Sequence, residues 1–202
     1  MRLPAEQRRV QLLEVALEMF ADRGFHATAM DDVASAAGVT KPVLYQHFRS
    51  KRALYVELLH TVGAQLLDEL GRATSSATSG REQVERGFAA YFRWVAINPS
   101  AFRLLFGSTM RTDAEFATIV EEVIAAAVEA VTPLIDIAGP PEQRAILANA
   151  IVGLAESTSR RALADTGAVE DAEQLARWLA ELAWFGLRGV GVTQLQPLAP
   201  RG

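Results

Sequence analysis

The residues with the clearest chemical role lie in positions 28–51, where basic, aromatic and hydroxyl side chains recur along two short predicted helices. Thr40 can cap the second of these helices, and Pro42 fits its first turn because no backbone N–H is needed there. Leu44 and Phe48 lie four residues apart and are expected to face inward. The other side chains of this helix would then face outward, where they could contact the phosphates and base edges of DNA: Lys41, Val43, Tyr45, Gln46 and His47.

Two helices joined by a glycine turn must position these side chains. Thr28 is predicted to cap the first helix, and Gly38 follows that helix with the left-handed backbone that a sharp turn requires. Ser50 is predicted to cap a third helix, where Lys51 and Arg52 at the positive end of the helix dipole indicate a bound anion such as a DNA phosphate. This is the outline of a helix-turn-helix. The predicted buried face of the first helix consists of Met30, Val33, Ala34 and Ala37.

The stretch G-F-H-A-T-A-M-D-D-V-A-S-A-A-G-V-T-K-P-V-L-Y-Q-H-F-R-S-K-R-A-L resembles the signature of the TetR family of bacterial transcriptional regulators. The match covers about Val10 to Leu59, and the rest of the chain is similar in length and helical layout only. The resemblance implies an all-helical homodimer with a three-helix DNA-binding head and a larger body that binds a small molecule. It also implies that the ligand moves the two heads apart and releases a palindromic operator. An ordinary helical corner in a bundle is the alternative interpretation of this stretch.

The resemblance also assigns roles to individual residues. Thr40, Lys41 and Pro42 match the family's contacts at the start of the recognition helix. Ala29 and Val43 depart from the commoner pattern, in which hydroxyl residues are frequent, and Val43 could instead contact a thymine methyl group. The predicted DNA-binding residues are therefore Thr28, Thr40, Lys41, Pro42, Val43, Tyr45, Gln46, His47 and Lys51.

The remainder of the chain is punctuated as a series of helices, and no stretch alternates with a period of two for long enough to predict a strand. We therefore predict an all-α fold with a DNA-binding domain over residues 1–50 and a ligand-binding and dimerisation domain over residues 51–202. A helix over residues 51–70 leads out of the head, and residues 71–80 are predicted to form a loop. The predicted apolar stripe of the first helix, which should end at Gly24, consists of Val10, Leu13, Leu17 and Phe20.

Small and apolar residues on the last two predicted helices form a candidate dimer interface. Small residues in a line let two helices approach closely. A dimer is also needed mechanically, because two recognition helices must lie ~34 Å apart to enter successive major grooves. Packing of the same stripes within one chain is the alternative. The candidate interface residues are Gly153, Ser157, Leu175, Trp178, Leu182, Phe185, Gly186 and Gly189.

Aromatic side chains concentrate in the middle of the chain and predict a pocket for a small, largely apolar or amphipathic ligand. Asn149 and Glu156 are polar residues in apolar helices, and a ligand could supply the partners that they need. The alternative is that the aromatic residues are core and the polar residues bond a neighbouring helix. The predicted ligand-binding residues are Phe88, Tyr91, Phe92, Phe102, Phe106, Met110, Phe116, Asn149 and Glu156.

Composition narrows the classes of function. The chain of 202 residues has no cysteine, so thiolate metal and redox chemistry are excluded. Its net charge is −4, but the first 60 residues hold eight Lys/Arg against seven Asp/Glu, which predicts a basic head on an acidic body. All three histidines lie in those first 60 residues, so no metal site or cofactor is predicted in the body. The absence of a signal peptide and of a long apolar run predicts a cytoplasmic protein.

The leading prediction is a transcriptional repressor that binds a palindromic operator as a dimer and is released by a largely apolar effector. One alternative is a helical small-molecule or partner-binding module with a degenerate DNA-binding head. A cofactor-independent helical enzyme is a third hypothesis, but the sequence contains none of the phosphate-binding, dinucleotide-binding, zinc-protease or nucleophile-elbow motifs that enzymes carry. We therefore predict that the chain is not an enzyme.

Overall fold

The computed structural model describes residues 4–107, 113–135, 137, 140–169 and 171–189, and within these residues every regular element is helical, which confirms the all-α prediction. None of the described helices is long and apolar enough to cross a lipid bilayer. A 3₁₀ turn, Thr132–Leu134, follows the seventh helix. In chain order the helices are α1 (Ala5–Ala27), α2 (Met30–Ala36), α3 (Lys41–His47), α4 (Lys51–Thr74), α5 (Gly80–Ile97), α6 (Pro99–Phe106), α7 (Ala114–Val131), α8 (Pro141–Thr166) and α9 (Ala172–Gly189).

The first three helices pack around the start of α4. Contacts of α1 with α2 and α4 bury Leu12, Ala16 and Phe20, which lie at i, i+4 and i+8 on one face of α1. The predicted stripe is confirmed in part, because Phe20 is buried and Leu13 and Leu17 are half-buried and pack against the core, whereas Val10 is 50% exposed. Apolar residues occupy more than one face of α1. The fully buried residues Leu12 and Ala16 each lie one position before a predicted residue.

Two glycines with positive φ allow the chain to change direction in the head. Gly38 has a φ of 65° and forms the turn between α2 and α3, as predicted. Gly24 has a φ of 78°, and the backbone leaves the helical conformation there before one last turn completes α1 at Ala27. The helix therefore breaks at the predicted residue but does not end at it.

The long helix α4 joins the head to the body. It extends to Thr74, beyond the predicted end at residue 70, and the Thr74 hydroxyl donates a hydrogen bond of 2.9 Å to the carbonyl of Leu70. The predicted loop over residues 71–80 is therefore too long. Helices α5 and α9 pack against each other, α7 packs against α4, and α8 packs against α7.

The closest approach of α4 and α7 is at Gly63. A Cβ atom added at Gly63 would lie well inside contact distance of the Val123 side chain on α7. Val123 is β-branched and has little freedom to move aside. Gly63 therefore lets the Val123 side chain of α7 lie directly against the backbone of α4.

We expect Gly63→Ala to lower the free energy of unfolding by ~1–3 kcal/mol, because the new methyl group overpacks the crossing with α7. Gly71→Ala is the matched control on the same helix, since nothing lies within 4 Å of the Cβ position there. That control should raise the free energy of unfolding by ~0.5–1 kcal/mol through helix propensity alone. Urea unfolding measures both values, and equal effects of the two substitutions would contradict the tight crossing.

Candidate DNA-contacting surface and ligand cavity

The recognition helix α3 presents a polar face to solvent. Leu44 and Phe48 are buried, as predicted, and they anchor the helix on the head. Val43 and His47 are half-buried, whereas the remaining predicted contact residues of this helix are exposed: Thr40, Lys41, Pro42, Tyr45 and Gln46. The helix therefore offers one continuous exposed surface to a ligand as large as DNA.

Lys41, the first residue of α3, already has an anionic partner. Its ammonium lies 2.8 Å from a carboxylate oxygen of Asp31 on α2, and both side chains are more than half exposed. The hydrogen bond to Asp31, together with the charge of that carboxylate, raises the pKa of Lys41 above its usual value. Lys41 therefore keeps its positive charge, and a DNA phosphate would compete with Asp31 for it.

The C-terminal end of α3 is held by Arg9 of α1. The guanidinium donates a hydrogen bond of 2.8 Å to the backbone carbonyl of His47 and lies 4.5 Å from the centre of the Phe48 ring. The same guanidinium forms an ion pair with Glu57 of α4. Arg9 thus fixes α3 against both α1 and α4, a role that the sequence did not reveal.

Thr28 has a structural role that differs from its predicted one. The N-cap of α2 is Ala29, and no side chain caps this helix. The Thr28 side chain is 1% exposed, and its hydroxyl donates a hydrogen bond of 2.9 Å to the carbonyl of Gly24. That carbonyl lies where α1 leaves helical geometry, so it needs a donor. The prediction of Thr28 as the cap of α2 is therefore wrong, and its buried hydroxyl is engaged within the head.

Lys51 at the start of α4 also binds protein atoms rather than an anion. Its ammonium donates hydrogen bonds to the backbone carbonyls of Phe25 (2.7 Å), Thr28 (2.9 Å) and His26 (3.3 Å). It also lies 4.6 Å from the centre of the Phe25 ring. Carbonyl groups at the C-terminal end of a helix attract a cation. The ammonium predicted to bind a phosphate is therefore engaged at the end of α1.

The neighbouring Arg52 connects the head to the body. Its guanidinium binds both carboxylate oxygens of Asp113, at 2.6 and 3.2 Å, and one oxygen of Glu115 at 2.6 Å. We call these three residues the Arg52 clamp. Asp113 is also the N-cap of α7, where its carboxylate accepts hydrogen bonds from the first backbone N–H groups. The sequence signal for the clamp was a basic residue at an unfavourable position on the helix dipole, which was interpreted as a DNA contact.

An aromatic cluster lies beside the clamp. Phe116 of α7 is fully buried, with ring centres 5.0 Å from Phe25 of α1 and 4.6 Å from Tyr55 of α4. The Arg52 guanidinium lies 4.8 Å from the centre of the Phe116 ring. Phe116, predicted to bind a ligand, therefore does not line the cavity described below and packs between head and body.

A cavity of about 370 Å³ lies inside the body between α4, α5, α7 and α8. This volume is within the range of ~300–1,000 Å³ that small-molecule sites occupy. Four of the predicted ligand-binding residues line it: Phe88, Tyr91, Phe106 and Glu156. Much of the wall comes from smaller aliphatic side chains that the sequence did not single out, among them Leu66, Leu70, Ile124, Ala127, Ile151 and Ala155.

The other predicted ligand-binding residues that the structure describes do not line this cavity. Phe92 and Phe102 are buried in the core, so their aromatic character reflects packing. Asn149 is exposed on α8 and therefore needs no buried partner. Met110 lies outside the described residues.

The charged residue of the cavity wall, Glu156, lies near the middle of α8. Arg160 forms an ion pair with Glu156, and it donates a hydrogen bond of 2.6 Å to the carbonyl of Phe106 at the end of α6. Burial is the main cause that raises the pKa of Tyr91, the Ser159 hydroxyl opposes it, and the charges of Glu156 and Arg160 act in opposite directions. The Tyr91 phenol is therefore neutral at physiological pH.

An apolar face is exposed on α8 and α9. Trp178, Leu182 and Phe185 of α9 are exposed, Phe185 by 63%, and Ile146 of α8 is exposed in addition to the predicted residues. Leu175 is half-buried, and Gly189 is the last residue of α9. The predicted small residues Gly153, Ser157 and Gly186 are also exposed. An exposed surface with several large apolar side chains is typical of a protein interface.

Two family models match the chain. Residues 12–58 match a model described as bacterial regulatory proteins of the tetR family. Residues 81–186 match a model described as the C-terminal domain of tetracyclin repressor-like proteins. The first match contains α2 and α3, and the second contains most of the cavity wall.

Relatives and solved structures agree with these matches. The chain is 34% identical over 195 residues to the HTH-type transcriptional activator FasR of Mycolicibacterium smegmatis, a match that covers 96% of this chain and 89% of FasR. It is 39% identical over 85 residues to the HTH-type transcriptional repressor KstR2 of the same organism, which covers 42% of each protein. The structure of a TetR-like transcriptional regulator from Rhodococcus sp. RHA1 is similar with a TM-score of 0.78 and 29% identity, covering 93% of this chain and all of that one.

The Arg52 clamp predicts a specific pH dependence of stability. Hydrogen bonding to Arg52 holds the pKa of Asp113 below its usual value. The pair therefore contributes stability that is fully present above the unfolded-state pKa of ~3.9 and is lost as the pH falls through the lower folded-state pKa. We expect the difference in free energy of unfolding between wild type and Arg52→Gln to be constant near neutral pH and to decrease below pH ~4.

Urea unfolding across this pH range provides the measurement. Arg93→Gln is the control, since Arg93 is exposed on α5 and has no ion pair with any described residue. The difference in free energy of unfolding between wild type and Arg93→Gln should not decrease at acid pH. A difference for Arg52→Gln that stays constant well below pH ~3 would contradict the clamp.

Proposed function

Since this chain belongs to the TetR family of bacterial transcriptional regulators, we propose that it binds a palindromic operator as a homodimer and releases it when a largely apolar molecule occupies the body cavity. Membership of this family also means that the chain is a transcriptional regulator and not an enzyme.

One observation carries the proposed response to a ligand: the helices that wall the cavity are also fastened to the head. The second half of α4 lines the cavity, while Lys51 at its start holds the end of α1. The second half of α7 lines the cavity too, while Asp113 and Glu115 at its start bind Arg52. A molecule that displaces the cavity walls therefore also displaces the supports of the recognition helix.

We infer that the exposed face of α3 contacts the operator. Tyr45 and Gln46 are the exposed side chains near the centre of the helix, and Lys41 with Thr40 lies at its start. A helix N-terminus and a lysine suit phosphate, whereas glutamine suits adenine in the major groove. Thr28 and Lys51 are omitted from this set because both are engaged within the head.

The exposed apolar face of α8 and α9 supports the proposed homodimer. Its large side chains flank small residues on both helices, so a second copy could approach closely along the same face. A two-fold pair would also present two recognition helices to a two-fold operator, which is why a palindromic site is proposed.

The direction of regulation depends on the operator's position as well as on the protein. FasR, which matches over nearly the whole chain, is named an activator, whereas KstR2, which matches over 85 residues, is named a repressor. We propose repression that ends when the ligand binds, because displaced supports would weaken the hold of α3 on DNA. An operator that overlaps the promoter is expected for this mechanism.

We expect Tyr45→Ala to weaken binding to DNA from immediately upstream of the chain's own gene by tenfold or more while the dimer persists, since base and phosphate contacts contribute ~1–3 kcal/mol each. Fluorescence anisotropy with scrambled DNA as the comparison measures this loss. Val10→Ala, which shortens another exposed side chain of the head, is the control and should bind normally. Undiminished, sequence-selective binding by Tyr45→Ala would contradict the proposed contact surface. Equal, weak binding of both DNAs by wild type would favour a ligand-binding module with a degenerate head.

We expect Phe185→Glu to convert the dimer into monomers and to abolish tight operator binding, because an unpaired carboxylate would be buried in the proposed interface. Sedimentation equilibrium measures the mass. Ile97→Glu makes the same chemical change at another exposed residue, at the end of α5, and should leave the dimer intact. A wild-type chain that sediments as a monomer, or a dimeric Phe185→Glu variant, would refute this interface.

A further inference from the structure

The charge on the cavity wall has one sign. Among the described residues that line the cavity, Glu156 is the only charged one. The other polar side chains of that lining are neutral, and they belong to Thr74, Gln83 and Tyr91. No described lysine, arginine or histidine is among the lining residues, and Arg160 behind the wall is engaged by Glu156 and by the carbonyl of Phe106.

Glu156 retains hydrogen-bonding capacity. Its Oε1 atom accepts a hydrogen bond from Arg160, but its Oε2 atom has no donor among the described residues. Arg160 is itself shared with the carbonyl of Phe106. About a quarter of the Glu156 side chain remains accessible, so a small molecule inside the cavity can reach it. The carboxylate therefore offers an acceptor to a ligand.

We propose that the cavity selects uncharged apolar molecules whose polar end donates a hydrogen bond to Glu156, as a hydroxyl group does, and that it discriminates against carboxylates. This inference rests on the proposed function, since it specifies the ligand of the same cavity. A hydroxyl would form a charge-assisted hydrogen bond with Oε2. A carboxylate would lose its hydration in an apolar cavity and meet a charge of its own sign.

Three probes of similar length separate these effects: 1-decanol, which donates a hydrogen bond; decyl methyl ether, which only accepts one; and decanoate, which is charged. Their dissociation constants for the full-length protein can be measured by calorimetry at neutral pH. We expect 1-decanol to bind at least tenfold more tightly than decanoate, with the ether between them. Decanoate binding as tightly as 1-decanol, or more tightly, would overturn the inference.

The variant Glu156→Gln tests the residue itself. It keeps the shape of the side chain and removes its charge, so the preference for 1-decanol over decanoate should decrease at least tenfold. Glu121→Gln is the matched control, because Glu121 is exposed on α7 and does not line the cavity. It should retain the wild-type preference. A preference that is unchanged in a folded Glu156→Gln protein would also overturn the inference.

A second variant locates the binding site without altering Glu156. Ala127→Phe fills the cavity from the α7 wall and should weaken the binding of every probe. If Glu156→Gln does not fold, two results still test the inference: the preference of the wild type for 1-decanol over decanoate, and the weaker binding of every probe by Ala127→Phe. Binding of none of the probes to wild type would refute the apolar effector of the proposed function. Binding with the reverse preference would refute only the selection by Glu156.

Discussion

The backbone carbonyls at the end of α1 impose a constraint on which the head depends. The helix leaves its regular geometry at Gly24, so the carbonyl groups around that point lose their usual N–H partners. The Thr28 hydroxyl and the Lys51 ammonium supply the missing donors from two different elements. Because Lys51 belongs to α4 and Thr28 to the connection between α1 and α2, the end of α1 is fixed against both. The recognition helix is then held between α1 and α4 by Arg9.

The head shares its core with the body. The rings of Phe25, Tyr55 and Phe116 come from α1, α4 and α7, and they form one contiguous cluster. A small helical head buries too little apolar surface to be rigid alone, and the aromatic ring from α7 adds to that surface. The division at residue 50 predicted from the sequence marks where α4 begins, but packing continues across it. Helices α4 and α7 therefore belong both to the cavity wall and to the support of the head.

Local features of the fold were predictable from the sequence, whereas contacts between distant segments were not. The turn at Gly38, the buried pair Leu44 and Phe48, and the cap at Ser50 depend on residues within one or two helical turns. The roles of Lys51 and Arg52 depend on partners 23 to 63 residues away, and a basic residue beside a helix-turn-helix was naturally assigned to DNA. The stripe on α1 was predicted only in part, because apolar residues occupy more than one face of this helix.

The cavity was predicted in the right region, but only some of its wall was recognised. Aromatic residues divide between core and wall, and periodicity cannot separate these two environments. The alanine-rich second half of α7 would have indicated the cavity better, because small side chains leave space that large ones would fill. The hydrogen-bonding capacity of Glu156 became apparent only when its pairing with Arg160 was located at the wall.

The crossing at Gly63 acts as a pivot between α4 and α7. About 12 residues of α4, ~18 Å, lie on the head side of Gly63, and about 11 residues, ~17 Å, lie on the cavity side. Because this pivot lies near the middle of α4, separating the two helices at the cavity also separates their head-side ends by a similar distance. Arg52 lies at the head-side end of α4, and Asp113 and Glu115 lie at the head-side end of α7. In the ligand response that we propose, a displacement of one or two ångströms at the cavity would be enough to break the hydrogen bonds of Arg52 to Asp113 and Glu115, more than 10 Å away.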